Sequence, residues 1–470
     1  MQACVLPVVS RTGTGVQTVT GVVDQDAVAF VGKLAFLLSV GTIFDTLDYQ
    51  TGINITATVW NQGADTGVDG ASSSMGDIDQ FFSKVVSTGD TRRYSLGDYQ
   101  PDIFFGGNWQ GYAYVSAFRS GEVDLTYDLN NRGGFGFLLV VLGGDDLVVD
   151  LNASMLSGVY STTGAPVAVL AMSAAYPLGS TPTATTGAGG SQIAWGWDTR
   201  DGGRAVASAS LVHMGGNGRG QLSDRLFTTI SGSSFSGAPY VSAWEALSYT
   251  IADGYSAVCN QFAFSGVRSY AGVTNLRTTV GQQSIELGIA AKWVKIVAVG
   301  IEASPLVDTS QFQLCVGWSD GARQGCAWAG ETQSGAPLTG TRYLSQDSIV
   351  RIAAAGAAQG STTFSAVVSV DDIDLQTGTL TLDISASDGT AYQLLVFALG
   401  DPLSSIPPTV VTGSTRPSWT LNRFDQKVRV EGLNGDPPAR VPGRPIDWVL
   451  DGTRWKLERF DLRSRDEETA

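Results

Sequence analysis

The chain has 470 residues, 43% of them hydrophobic, with 58 glycines, only 29 Lys plus Arg, and a formal charge of −15. The hydrophobic share excludes a disordered chain, and the acidic balance argues against a protein that wraps nucleic acid, which needs a basic face. Runs of Glu, Lys, Leu and Arg that build long amphipathic helices are missing, while Gly, Thr, Val and short alternating segments dominate, so the expected fold class is all-β.

The opening, MQACVLPVVSRTG, carries no basic leader, and no apolar run reaches the ~18 residues that span a bilayer, so neither a signal peptide nor membrane insertion is expected. From Gly15, GVQTVTGVVDQDAVAF reads as a short alternating strand, a turn and a hydrophobic strand. ATVWNQGADTG (57–67) and GDTRRYSLGD (89–98) follow as landmarks. Residues 121–143, GEVDLTYDLNNRGGFGFLLVVLG, alternate first and then run apolar without a break. That run reads as a strand buried on both faces.

The pattern returns. GQQSIELGIAAKWVKI from Gly281 repeats the opening, LCVGWSDGARQG (314–325) and LTGTRYLSQD (338–347) repeat the landmarks, and 378–400 aligns without gaps to 121–143. A weaker middle copy holds VAVLAMSA (167–174), QIAWGWDTRDG (192–202) and ALSYTIADGYSAV (246–258). The expected organisation is therefore three tandem β-sandwich or jelly-roll-like repeats, at 1–150, 155–270 and 276–403, with helix in on the order of a tenth of residues.

Beyond Leu403 the composition changes. Residues 404–470 hold 11 of the 29 basic and 10 of the 44 acidic residues, a net of +1, against −16 for the first 403. The phrase W-x-L-x-R-F-D occurs twice, as WTLNRFD (419–425) and WKLERFD (455–461). Asp451-Gly452 predicts a hairpin with Trp448 opposite Trp455, Ile446 opposite Leu457 and Asp447 opposite Lys456. The copy WTLNRFDQKVRVEG alternates as well and is expected to add strands to this small C-terminal β-hairpin appendage; the resulting sheet is too thin to be stable alone, and its Trp and Arg are residue types enriched at interfaces. Trp419, Arg423, Trp448, Trp455, Arg459 and Phe460 are the candidate partner-binding residues of a homo-oligomer.

Catalytic signals are weak. His213 is the single histidine, in LVHMGGNGRG, and reads as a loop residue; the GGNGRG lacks the ending of a phosphate loop. The clusters Asp145-Asp146-Asp150 and Asp371-Asp372-Asp374 read as solvated strand ends rather than glycosidase or calcium groups. Asn54 and Asn152 match glycosylation acceptors, which mean little without a secretion signal. Cys4, Cys259, Cys315 and Cys326 read as small buried thiols, with a 315–326 pair as the alternative. No cofactor, metal or catalytic residue is expected.

The Gly-Thr-Gly-x-Gln-x-Val-x-Gly opening at 13–21, the hydrophobic strand after it and the closing FLLVVLGGDD (137–146) resemble virion structural proteins of tailed bacteriophages, from the tail or the capsid exterior. The resemblance spans residues 11–403. It implies a non-enzymatic structural role in a virion assembled in the host cytoplasm, with other virion proteins as partners and host-surface contact, to a glycan for example, as a further role. Two other readings stand beside it. One is a bacterial surface carbohydrate-binding protein stacking sugars on Trp195, Trp197, Trp318 and Trp328. The other is a polysaccharide-degrading enzyme.

Overall fold

A computed structural model of the chain describes residues 1–40, 44–45, 51–60, 75–84, 91–97, 102–105, 108–130, 134–152, 157–173, 183–185, 191–211, 218–231, 234–237, 239–254, 259–302, 306–308, 311–332, 341–353, 364–403, 420–424, 427–431, 448–451 and 454–457. Among them there is no helix; every element is a strand, and every strand pairing is antiparallel. The chain forms two compact units, a body, Met1–Leu403, and a tail, Ser404–Ala470.

The body repeats one topology three times. In the first repeat the large sheet runs Gln2–Val9, Gly136–Gly143, Gly32–Ser39, Thr51–Trp60, Met75–Lys84, Thr91–Gly97. In the second it runs Val148–Asn152, Asn260–Ser265, Pro166–Ser173, Ser191–Thr199, Arg204–Leu211, Gly218–Leu222. In the third it runs Arg268–Asn275, Gln393–Asp401, Ala290–Ala298, Gln311–Ser319, Gln324–Thr332, Thr341–Ser345. Each time the first strand is at the edge and the last strand is its neighbour. A smaller sheet covers each large one, led by Gly15–Thr20, Gly158–Ser161 and Gly281–Glu286. The aligned stretches 121–143 and 378–400 occupy the same places in both sheets.

Period-2 alternation sends every second side chain of a large sheet to each face. On Ala290–Ala298, Val294, Ile296 and Ala298 join a core private to the third repeat, while Trp293 and Val297 join a core shared by all three. Gly136–Gly143 does the same: Leu139 and Val141 face the first repeat's own core, and Leu138, Val140 and Leu142 the shared one. This double burial is why the closing strands are apolar at every position. Burying such a side chain contributes roughly 1.5–3 kcal/mol, so the shared core alone outweighs any surface ion pair.

The three repeats close on one another in a ring. Thr183–Thr185 of the second pairs with Thr91–Gly97 of the first, and Leu306–Asp308 of the third pairs with Gly218–Leu222 of the second. The Asp45 N–H of the first donates to the Leu344 carbonyl of the third, 2.8 Å away. Each donated piece follows its own repeat's central hydrophobic strand. The leading edge strands obey the same order: Val148–Asn152 packs on the first repeat's sheet, Arg268–Asn275 on the second's, and Gln2–Val9 on the third's. The outer edges of the first and second large sheets are thereby paired, which reduces the hazard of an open strand edge.

Two glycine pairs recur for physical reasons. Gly15 and Gly281 have φ of 109° and 113°, where an L side chain is strained. Gly196 and Gly317 sit beside Trp197 and Trp318, and a Cβ there would lie 1.9 Å from the Leu226 oxygen and 1.8 Å from the Ile349 oxygen. No side chain fits at either.

Candidate assembly sites

Register identifies three sister positions in the shared core. Phe36 lies between Val140 and Ala57, Leu170 between Phe262 and Trp197, and Lys295 between Phe397 and Trp318. Around them the repeats interlock through aromatic rings. Phe36 meets Phe262 of the second repeat at 5.5 Å between centroids and stacks on Trp318 of the third at 5.8 Å. Trp197 stacks on Phe397 at 5.5 Å.

The tryptophans read as a sugar-stacking set are therefore packing residues. Trp195, Trp197 and Trp318 are 0% exposed in the shared core, and Trp328, 4% exposed, packs edge-on to Phe364 in the third repeat's own core. Trp328 Nε1 donates to Gln313 Oε1 at 2.9 Å. The Nε1 groups of Trp195, Trp197 and Trp318 have no acceptor among the described residues. These indoles serve as volume.

Lys295 is fully buried among them, its Nζ 2.9 Å from the Trp195 ring centroid and 5.9 Å from that of Trp318. A desolvated cation–π contact stabilises the ammonium by about 2 kcal/mol. Removing that ammonium from water costs several kcal/mol, so burial wins and pushes Lys295 well below its ordinary pKa.

Polar links also cross between repeats. Asp320 is buried at the end of the Gln311–Ser319 strand. Its Oδ2 accepts the Val5 N–H of the first repeat at 2.7 Å and Arg323 Nη2 at 2.8 Å, and its Oδ1 accepts the Ala322 and Arg323 N–H groups. Arg323 donates onward to the Gly21 and Val23 carbonyls. Burial raises the Asp320 pKa against the pull of these donors. Asp198 repeats the device within the second repeat, accepting Arg204 Nε at 2.6 Å and the Val241 N–H at 2.8 Å.

An arginine–glutamine clasp joins the large and small sheets in two repeats. Gln17 accepts the Arg11 N–H and donates to the Val9 carbonyl, while Arg11 donates to the Val16 carbonyl. Gln283 and Arg277 make the same three bonds to Asn275 and Gln282. The signal was present as R-x-x-x-G-x-Q at 11–17 and 277–283; reading each repeat from its glycine missed the arginine.

The acidic clusters lie at solvated ends. Asp145, Asp146, Asp371 and Asp372 are exposed. Asp374 caps its own turn through the Gln376 and Thr377 N–H groups, which lower its pKa together with the Thr377 hydroxyl, the first cause. Asp150 receives Thr163, and Asn152 Nδ2 donates to the Tyr249 hydroxyl at 3.1 Å. Asn54 lies on strand Thr51–Trp60. Among the described residues no group of three or more His, Cys, Asp or Glu could hold a metal ion. All four cysteines are free and buried, and burial pushes the Cys4 thiol up to about 11. His213 lies outside the described residues.

The tail forms a four-stranded antiparallel sheet, ordered Thr420–Phe424, Lys427–Glu431, Arg454–Leu457, Trp448–Asp451. Two hairpins thus make one small sheet, as the two copies of the repeated phrase led one to expect, and Lys427–Glu431 lies between Thr420–Phe424 of the first copy and Arg454–Leu457 at the start of the second. The second hairpin pairs Trp448 with Leu457, Leu450 with Trp455 and Asp451 with Arg454. This register is two residues from the one expected. Alternation fits both registers, because a shift of two residues keeps the same positions on the same face of each strand. Arg423 pairs with Val428 in the first hairpin. Trp419, Arg459 and Phe460 lie outside the described residues, as do Ile446 and Asp447. No family model, curated protein or solved structure matches this chain.

Proposed function

We propose that the chain is a structural component of a tailed-phage virion, tail-associated or on the capsid exterior, with a preformed body and a C-terminal segment that attaches it to a neighbouring subunit. The observation that carries this reading is the closure of three like repeats on one another, through two inter-repeat strand pairings and the Asp45–Leu344 backbone hydrogen bond. The inner faces of the repeats meet in one shared core and two of their large-sheet edges are paired within one chain, a construction suited to a rigid block. It accords with the resemblance of 13–21 and 137–146 to such proteins. The tail supports the second half of the proposal: it has a net charge of +1 against −16 for the body, and its sequence repeats W-x-L-x-R-F-D. Trp and Arg dominate interface hot spots, and Arg can pair bidentately with carboxylates. Trp419, Arg423, Trp448, Trp455, Arg459 and Phe460 are the proposed contact residues, toward a second copy or another virion protein.

Deletion of 404–470 tests the attachment. The truncated body is expected to keep the circular dichroism and melting behaviour of the full chain and to lose oligomerisation, or incorporation into particles. Light scattering and particle assays that find no difference between the two proteins would reduce the tail to an intrachain brace.

A further inference from the structure

Lys295 is the one sister position that breaks the apolar pattern of the shared core. Phe36 and Leu170 fill the other two, so the fold packs there without an amine. The Nζ lies on the Trp195 ring, which belongs to the second repeat, and it has no hydrogen-bond partner among the described residues. We propose that Lys295 is a proton-operated latch on the interface between the second and third repeats. Uncharged, the amine stays packed on Trp195 and the two large sheets stay closed. Protonated, it is driven toward water, and the sheets loosen at that point.

Among the described residues the amine has no counter-ion: Asp320 on the neighbouring strand's end is held by Arg323 and the Val5 N–H, Asp198 on the Trp195 strand by Arg204, and Arg219 of the second repeat donates to the Val299 carbonyl. The strand neighbours of Lys295 present Phe397 and Trp318 beside it. The charged groups Arg351, Asp371, Asp372 and Asp374 belong to Val350–Ala353 and Phe364–Asp374, which pack on the opposite face, against Val294 and Ile296. Cys4 and Cys315 also belong to the outer cores. Lys292 on the same strand pairs with Asp26, and Asp401 with the Met1 amine. Burial alone therefore sets the direction of the Lys295 shift, downward from 10.5. A lysine whose folded pKa lies below its unfolded one binds fewer protons folded than unfolded, so its contribution to stability rises with pH between those two values and is least on the acid side. This inference holds whichever particle the body serves.

The test is thermal melting of the full chain from pH 6 to pH 10 for the wild type, Lys295→Met and Lys295→Leu, the last copying the sister Leu170. Both variants are expected to melt about 5 °C above the wild type at pH 6, with the gap closing toward pH 10. Hydrogen exchange at pH 6 is expected to be faster in the wild type than in either variant across Ser191–Thr199 and Ala290–Ala298, and equal across Thr379–Ala386. A melting gap independent of pH, or equal exchange in all strands, overturns the latch. So does failure of both variants to fold, because the amine would then be a packing requirement.

Discussion

Replacing Asp320 with alanine is expected to destabilise the body by about 3–5 kcal/mol, the usual consequence of removing one partner of a buried, hydrogen-bonded charge pair. The carboxylate accepts from Val5 of the first repeat and from Ala322 and Arg323 of the third. Its loss strands the Val5 N–H in an apolar strand pair and leaves Arg323, which also holds the Gly21 and Val23 carbonyls, without its counter-charge. Asp320→Asn keeps an acceptor but not the charge, so its cost should fall between those of the wild type and alanine. Urea midpoints of the three proteins at pH 7 give the order. An alanine variant within about 0.5 kcal/mol of the wild type would show that the link between the first and third repeats rests on the shared core alone.

Phe397→Ala should cost a similar amount, about 3–5 kcal/mol, for a different reason. Its ring stacks on Trp197 at 5.5 Å, meets Trp293 edge-on at 5.9 Å and Phe264 at 6.2 Å, so truncation opens a cavity where two repeats interlock. These neighbours are rigid rings on paired strands and collapse poorly into a void. Val159→Ala is the control: Val159 is 68% exposed, and its truncation should stay within about 0.5 kcal/mol. Equal urea midpoints for the two variants would refute the assignment of Phe397 to a shared core.

The sequence made the repeat visible because alternation and turn residues are local. Val123, Leu125 and Tyr127 align with Leu380, Leu382 and Ile384, and all six are buried. The continuous run FLLVVLG also reads directly as a strand covered on both faces. What covers the second face was not legible. Alternation says that Trp195 and Trp197 share a side, but a solvent-facing sugar platform and an inter-repeat core give the same pattern. The discriminating mark was Gly196 between them: a residue with no Cβ, set against the Leu226 carbonyl, belongs to a strand packed tightly on both sides. The two strand pairings between repeats were invisible for another reason. Thr183–Thr185 and Leu306–Asp308 are three residues each, too short for periodicity to name a partner. In the tail, Asp-Gly identified the hairpin but not its register, because a shift of two residues preserves the alternation of both strands.

If the chain is, as proposed, a fixed part of a phage particle, the most direct measurement is to look for it there. Antibody raised against residues 1–403 should decorate purified phage particles at one discrete location in negative stain, and peptides of the chain should co-purify with those particles. Particles that carry neither the label nor the peptides, with all of the chain left in the soluble lysate, would contradict the account.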